Sequence, residues 1–313
     1  MSVAATVQFV RPAGEPPFTR AYTLPPHSRT TIAVDAVDAQ LASTDVSAAI
    51  TAAQPIVVER AMYLSRPGEP FAAGLGSAGV TAPALRWLLA EGATGPFFDT
   101  FILLLNPADD TAQCEVRYAT TTGAVFVKPY ALAPHSRTTI WMDQEDIPGV
   151  GHALANVAAA TTVTSTNGVP IVAERTMWWP DGDWFEAHGS AGAVAASTRW
   201  AVAGLEVGPP PRAADAYVLV LNTAPEAGTV LITLRPEDGL PIARAFAVGP
   251  FARLTVRLRD AIPASQHFTL PFGAVVEAVG PSPIPIVVEQ AVYWNADGVV
   301  WAAGTNALGT PLP

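Results

Sequence analysis

The residues that could do chemistry recur along the chain at fixed spacing. Glu59, Glu174 and Glu289 each stand inside an apolar run, in Pro55-Ile-Val-Val-Glu-Arg60, Pro170-Ile-Val-Ala-Glu-Arg175 and Pro285-Ile-Val-Val-Glu-Gln290. Arg29, Arg137 and Arg253 open a second set of related runs, Pro26-His-Ser-Arg-Thr-Thr-Ile32, Pro134-His-Ser-Arg-Thr-Thr-Ile140 and Pro250-Phe-Ala-Arg-Leu-Thr-Val256. A carboxylate among Ile and Val is costly unless it is paired. The pattern therefore predicts one Arg–Glu pair within each copy. Acid–base work at such a glutamate needs a second carboxylate at a defined distance, and no second acid recurs with it.

Other reactive residue types have bland readings. His27 and His135 repeat, but Phe251 takes their place in the third copy, and no zinc-type histidine spacing is present. Ser136 and His135 are adjacent, so in a strand they point to opposite faces, and there is no G-x-S-x-G elbow. The chain thus reads as a non-enzyme, with no catalytic residue, metal or cofactor assigned. Cys114 is the only cysteine; it alternates with Ala112, Val116 and Tyr118 and reads as a small buried apolar group.

The segment Trp178-Trp179-Pro180-Asp181-Gly182-Asp183-Trp184-Phe185 is the most site-like. Trp178, Trp179, Trp184 and Phe185 around a turn could offer aromatic faces to a sugar. Tyr63 with Phe71, and Tyr293-Trp294 with Trp301, stand at the equivalent places, and aromatics recurring at both ends of a hairpin are more often core or inter-module packing. Asp181 with Asp183, and Asn295 with Asp297, supply too few oxygens for calcium.

These residues sit on a repeat with a period of about 115 residues, too long for a solenoid unit and suited to one sandwich domain per copy. Further blocks recur in order: Phe101-Ile-Leu-Leu-Leu-Asn106 with Tyr217-Val-Leu-Val-Leu-Asn222, Gly76-Ser-Ala-Gly79 with Gly189-Ser-Ala-Gly192, and Arg86-Trp87 with Arg199-Trp200. The reading is all-β, tandem immunoglobulin-like β-sandwich modules at 1–86, 87–199 and 200–313. The first lacks the opening strands that align with Trp87–Pro107. In the second, Ala112–Thr120 alternates strictly, Thr122-Gly123 reads as a turn, and Asn167-Gly168 reads as a hairpin leading into Ile171–Trp179. Four equivalent sets mark core positions: Val7, Val116 and Ile232; Phe9, Tyr118 and Leu234; Tyr22, Tyr130 and Phe246; Ile32, Ile140 and Val256.

Composition removes several classes. Half of the residues are hydrophobic and 14% charged, which excludes intrinsic disorder. The net charge is −10 and Lys128 is the only lysine, so there is no basic stripe for nucleic acid. No apolar run approaches the ~18 residues of a membrane helix, so no membrane insertion is expected. The first residues lack a basic region and an apolar run, so no signal peptide is visible; because the chain begins within a module, an upstream segment could carry one.

Trp87-Leu-Leu-Ala-Glu-Gly92, the Asn106-Pro107 turn, Ser136-Arg-Thr-Thr-Ile140 and Pro170-Ile-Val-Ala-Glu-Arg175 with its following aromatic pair resemble a tandem β-sandwich repeat family of large secreted or surface-attached bacterial proteins. Copy three departs from the pattern at Trp200-Ala-Val-Ala-Gly204 and at Gln290. The resemblance implies an extracellular structural or adhesive role: stalk, sheath, filament or surface layer. The expected partners are further copies of the chain or neighbouring surface proteins. Strand donation to the incomplete first module is one route to assembly. The alternative is a carbohydrate-binding module using the tryptophan segment.

Overall fold

Alternation of apolar and polar side chains decides the architecture. Along Ala112–Thr120, Ala112, Cys114, Val116 and Tyr118 are buried while Gln113 faces solvent, so one face of the strand must be covered by another layer. The computed structural model describes residues 1–180, 183–208, 213–237, 239–263 and 271–313. Nearly every regular element in them is a strand, and every named strand pair is antiparallel. No helix among the described residues is long and apolar enough to cross a membrane.

The first segment contains β1 (Val3–Val10), β2 (Phe18–Leu24), β3 (Ser47–Ala52), β4 (Glu59–Arg66) and β5 (Glu69–Ala78). The second contains β6 (Arg86–Leu89), β7 (Asp99–Asn106), β8 (Ala112–Thr120), β9 (Val125–Leu132), β10 (Ser136–Trp141), β11 (Ala159–Ser165), β12 (Val172–Trp179) and β13 (Glu186–Ala191). The third contains β14 (Arg199–Leu205), β15 (Ala214–Asn222), β16 (Gly228–Arg235), β17 (Ile242–Val248), β18 (Arg253–Arg257), a four-residue helix α1 (Leu258–Ala261), β19 (Phe272–Val279), β20 (Ile286–Ala296), β21 (Val299–Leu308) and β22 (Thr310–Pro311).

Sheet β10-β7-β12-β13 packs over sheet β6-β11-β8-β9 in a sandwich-like pair. Sheet β18-β15-β20-β21 has the same order as the first of these, and β17-β16-β19-β14-β22 corresponds to the second with β22 added. Between the paired layers lie Leu89, Ile102, Leu104, Val116, Tyr118, Ile140, Val163 and Ala173 in one case, and Val218, Val220, Ile232, Leu234, Val276 and Ile286 in the other. Each such Val, Leu or Ile contributes roughly 1.5–3 kcal/mol by its removal from water. Trp87 and Trp200 tie their two layers together, their indole N–H groups donating to Ile171 O at 2.7 Å and Ile286 O at 2.8 Å. Asn106 and Asn222 organise equivalent turns, each accepting from the amide two residues on and donating to Asp110 O and Glu226 O respectively.

The anticipated core sets are met unevenly. Val7, Val116, Ile232, Phe9, Tyr118, Leu234, Ile140 and Val256 are buried, whereas Tyr22, Tyr130, Phe246 and Ile32 are half-buried. Asn167-Gly168 is not a hairpin turn. It carries the chain between layers, because β11 pairs with β6 and β8 while β12 pairs with β7 and β13. The Asn167 side chain instead anchors the crossing, accepting from Gln113 N at 3.0 Å and donating to Thr111 O at 2.8 Å. The expected Asp181-Gly182 turn lies outside the described residues.

The first segment is built differently. Sheet β2-β1-β3 matches β9-β8-β11, but β4 and β5 form a two-stranded sheet with no strand beside β4. Ser28–Ile32, identical to Ser136–Ile140, forms no strand. In the second segment that sequence pairs with β7; among the described residues no strand stands in the corresponding place here, so the same residues join no ladder. Amide hydrogen exchange measures this directly, since the two stretches share their intrinsic chemistry. Residues 28–32 are expected to exchange freely while 136–140 are protected. Equal protection would contradict the description of the first segment.

Candidate functional site: a buried charge cluster between segments

In the third copy's neighbourhood the chain encloses four charged side chains. Glu174 and Arg175 are consecutive in β12, so they point to opposite faces of the sheet. Arg175 is fully buried and donates to Glu91 Oε2 at 2.7 Å and to Glu289 Oε2 at 2.6 Å. It also donates to Glu91 O at 3.0 Å and Ser190 Oγ at 3.2 Å. Glu289 accepts from Ala90 N at 2.8 Å. Arg253 donates to Gly92 O and to Ala159 O, the latter at 3.1 Å. Two guanidinium groups and two carboxyl groups therefore share one buried compartment, with Tyr293 Oη donating to Glu91 Oε1 at 3.3 Å and His188 Nε2 3.0 Å from Tyr293 Oη.

Burial raises the pKa of Glu91 and of Glu289, and Arg175 pulls both the other way. Burial also works against the charge of Arg175, but Glu289 and Glu91 outweigh it and hold that group above the ordinary arginine value. Arg253 is pushed down to about 10 by burial. His188 falls to about 3, by burial first and by the nearby Arg175 charge second, so it is neutral. A neutral imidazole adds no further charge to the compartment.

A related contact joins the first and second segments. Arg60, the counterpart of Arg175, meets Glu174 at 2.8 Å, and Arg137 meets Asp45 at 2.7 Å. Arg137 N also donates to Arg11 O at 3.0 Å. The pairs Arg60–Glu174 and Arg175–Glu289 thus run between segments, while Arg175–Glu91 lies within the second, which corrects the expectation of one pair of the repeated Arg and Glu within each copy. Arg137 reaches Asp45 rather than Glu174, and Arg253 takes backbone carbonyls rather than Glu289. The reason is strand geometry: in the Glu174-Arg175 dipeptide the glutamate faces the preceding segment and the arginine the following one. Among the described residues Arg29 and Glu59 have no ion-pair partner. The sequence reading missed Arg60, Arg175, Glu91 and His188; the alternation rule applied to adjacent Glu59-Arg60 and Glu174-Arg175 would have found the first two.

Aromatic rings seal the cluster. Trp179 is fully buried, donates to Trp301 O at 2.8 Å, and lies 5.4 Å from the Tyr293 ring and 5.7 Å from Phe98. Tyr293 and Trp301 stack at 4.8 Å. Trp179 therefore cannot belong to a sugar platform, because packing against the third segment covers it. Trp178 and Trp184 lie elsewhere, half-buried beside Phe101 and the exposed Trp141 around Asp99, which accepts both the Trp141 and Trp184 indole N–H groups. Phe185 is half-buried and forms no ring contact within this group. The rings are mutually tilted, by 67° for Trp141 and Trp184 and 44° for Trp178 and Trp184, so they present no flat surface.

The repeated histidines have a backbone role. His27, His135 and Phe251 all adopt positive φ, at 52°, 47° and 46°, so what recurs is a left-handed turn. Phe71, Trp184 and Trp301 do the same in the equivalent hairpins. Asn295 Oδ1 is engaged by Trp301 N at 2.8 Å, a turn contact, and Asp181 lies outside the described residues. Asp143, buried near Asp99, is raised to about 6 by burial, although Thr100 N and Gly95 N donate to it. Those two backbone bonds make it an anchor for the 93–100 loop.

No family model and no curated protein matches the chain. Among solved structures, Thermotoga maritima 1070 is similar at 16% identity and a TM-score of 0.31, covering 37% of this chain and 96% of its own. The Anabaena sensory rhodopsin transducer is similar at 17% identity and a TM-score of 0.26, covering 31% of this chain and 99% of its own. At these TM-scores neither likeness bears on the reading of the site.

Two outcomes are expected. A Cβ on Gly304 would sit 2.8 Å from the Trp179 ring and 2.9 Å from the Tyr293 ring, so Gly304→Ala should lower stability by roughly 1–3 kcal/mol in urea unfolding. The second concerns pH. The unfolded chain takes up a proton at His188 below its ordinary value of 6.5, whereas the folded chain refuses it until about 3. The contribution of His188 to stability is therefore complete above 6.5 and lost as pH falls toward 3. Asp143, raised from 3.8 to about 6, acts oppositely: its contribution is complete below 3.8 and lost as pH rises through 6. Comparing the chain with His188→Gln isolates the histidine, and the variant should lose less stability between pH 7 and pH 4. Parallel curves would show that His188 is not held neutral.

Proposed function

We propose that this chain is an extracellular structural or adhesive repeat protein, a stiff element of a stalk, sheath, filament or surface layer. The observation that carries the reading is the contact repeated between segments, in which an arginine of one meets a glutamate of the next. Where it is buried, at Arg175–Glu289, such a joint fixes orientation more than it adds stability, and a fixed orientation is what a load-transmitting array needs. On this reading the segments are immunoglobulin-like sandwich modules at 1–86, 87–199 and 200–313. Strands β6 and β14, starting at Arg86 and Arg199, support those boundaries to within a residue.

The carbohydrate reading has less support. Its tryptophans are either enclosed, as Trp179 is, or tilted around Asp99 with their N–H groups already engaged. Among the described residues, the compartment that holds Glu91, Arg175, Arg253 and Glu289 is closed to substrate, so it lends no support to a catalytic reading.

Small-angle X-ray scattering tests the mechanical half of the proposal. The full chain should give one curve, independent of salt and concentration, that a single rigid arrangement fits; a curve requiring freely hinged segments would overturn it. For placement, antibody against the folded chain should label intact source cells. Labelling only after lysis would overturn the extracellular part.

A further inference from the structure

We propose that the cleft between the second and third segments, lined by Arg86, Arg117, Thr162 and Thr164, binds a tetrahedral oxyanion, sulfate or phosphate. The inference goes beyond the reading of the chain as a structural repeat protein and does not depend on it.

The third segment shows what an arginine at this place in the fold takes as its partner. Arg86 and Arg199 occupy equivalent positions, each before a tryptophan that ties two layers together. Arg199 lies opposite Glu277 across the β14–β19 ladder and meets its carboxylate at 2.8 Å. Arg86 lies opposite Thr164 across the β6–β11 ladder. The second segment thus has a neutral hydroxyl where the third has a carboxylate. Among the described residues the Arg86 guanidinium forms no ion pair and no hydrogen bond. Arg86 is open to solvent, so a solute can reach it.

The neighbours of Arg86 do not supply the missing charge. On β8, Glu115 stands opposite Thr164 and Arg117 opposite Thr162. Side chains opposite one another on adjacent strands have Cβ atoms about 4.5–5.5 Å apart. Arg86, Thr164, Thr162 and Arg117 therefore form a compact group on three hydrogen-bonded strands. Glu115 Oε1 accepts from Arg117 Nη2 at 3.1 Å. Arg117 Cζ also lies 5.1 Å from the centre of the Phe251 ring, which holds that guanidinium against the third segment. Two guanidinium groups thus face one carboxylate, in a chain whose net charge is −10. Burial first, and the Arg117 charge second, hold Arg86 below the ordinary arginine value. An anion between the two guanidinium groups would relieve that repulsion.

The size and chemistry of the cleft define the occupant. It measures about 190 Å³ and is walled by Leu221, Asn222, Thr223 and Phe251 of the third segment. Metabolite-sized sites run to roughly 300–1,000 Å³, so one small group fits and a large ligand does not. The Asn222 amide already donates to Glu226 O and Gly249 O, and the Thr223 hydroxyl to Pro285 O. The third segment thus contributes wall, and the donors come from the second. The Thr162 and Thr164 hydroxyls have no hydrogen-bond partner among the described residues. Two guanidinium forks and two hydroxyls approach from several directions, which suits four tetrahedral oxygens better than the flat pair of a carboxylate.

The test titrates the full chain with sodium sulfate and with sodium phosphate, following the arginine Nε–H signals by NMR, with sodium chloride at matched ionic strength as the reference. The Arg86 and Arg117 signals should shift and saturate with sulfate or phosphate and not with chloride. Arg86→Gln should weaken binding at least about tenfold, as loss of a charge-assisted hydrogen bond requires, and leave the melting temperature of the anion-free chain unchanged. Thr164→Glu sets a carboxylate opposite Arg86, as Glu277 stands opposite Arg199, and should abolish the binding. Arg244→Gln, outside the cleft, should leave it unchanged. Dextran sulfate, compared with inorganic sulfate at equal sulfate concentration, separates the two sources: tighter binding of the polymer supports the site as one for a pendant sulfate, and weaker binding supports it as one for the free ion. The proposal is overturned if the shifts rise without saturating, if chloride produces them equally, or if Arg86→Gln or Thr164→Glu binds as tightly as the unaltered chain.

Discussion

A buried charge must be matched, and a β-strand cannot match two consecutive charges on one side. Because Glu and Arg are neighbours in β12, the sheet presents a carboxylate to the segment before it and a guanidinium to the segment after it. Each therefore finds its partner in a different neighbour: Glu174 in Arg60, and Arg175 in Glu289. Arg253 and Glu91 complete a compartment with balanced charge, and His188 stays neutral within it. Everything around the compartment follows from excluding water from it. Trp179, Phe98, Tyr293 and Trp301 close one side, and Gly304 carries no side chain because the Trp179 ring lies against it.

The two ends of the chain differ under this constraint. Gln290 stands where Arg60 and Arg175 stand, and it donates to Ala203 O within its own segment. At this place in the strand the third segment thus carries no guanidinium. The first segment keeps Glu59, exposed and without an ion-pair partner among the described residues. The carboxylate half of the contact is open on that side, and the guanidinium half is closed on the other.

Much of the fold was legible in the letters, for a physical reason. Strict alternation in Ala112–Thr120 and apolar exchange at Val7, Val116 and Ile232 both follow from the two-residue period of a strand with one covered face. What was not legible depended on contacts between distant parts. Ser28–Ile32 and Ser136–Ile140 are the same residues, yet only the second is a strand, because pairing is supplied by β7 and not by propensity. Asn167-Gly168 has the composition of a hairpin turn, but the layer to which each flanking strand belongs made it a crossing. The arginines and glutamates read as a pairing set, but the partners of Arg60 and Arg175 include glutamates of the next segment, which the sequence of one copy does not show. The burial of Trp179 depends on the third segment, which covers it.

The most direct measurement is a mutant cycle on Arg175 and Glu289 followed by urea unfolding. Arg175→Met leaves two buried carboxyl groups facing one guanidinium, and Glu289→Gln leaves two guanidinium groups facing one carboxyl. Each single change should cost about 3–5 kcal/mol. The double variant restores charge balance, with Arg253 and Glu91 remaining, and the amide oxygen introduced by Glu289→Gln can still accept from Ala90 N. The account predicts that the double variant is more stable than either single one. If instead the two costs simply add, the charges are not coupled, and the claim that this pairing organises the structure is contradicted.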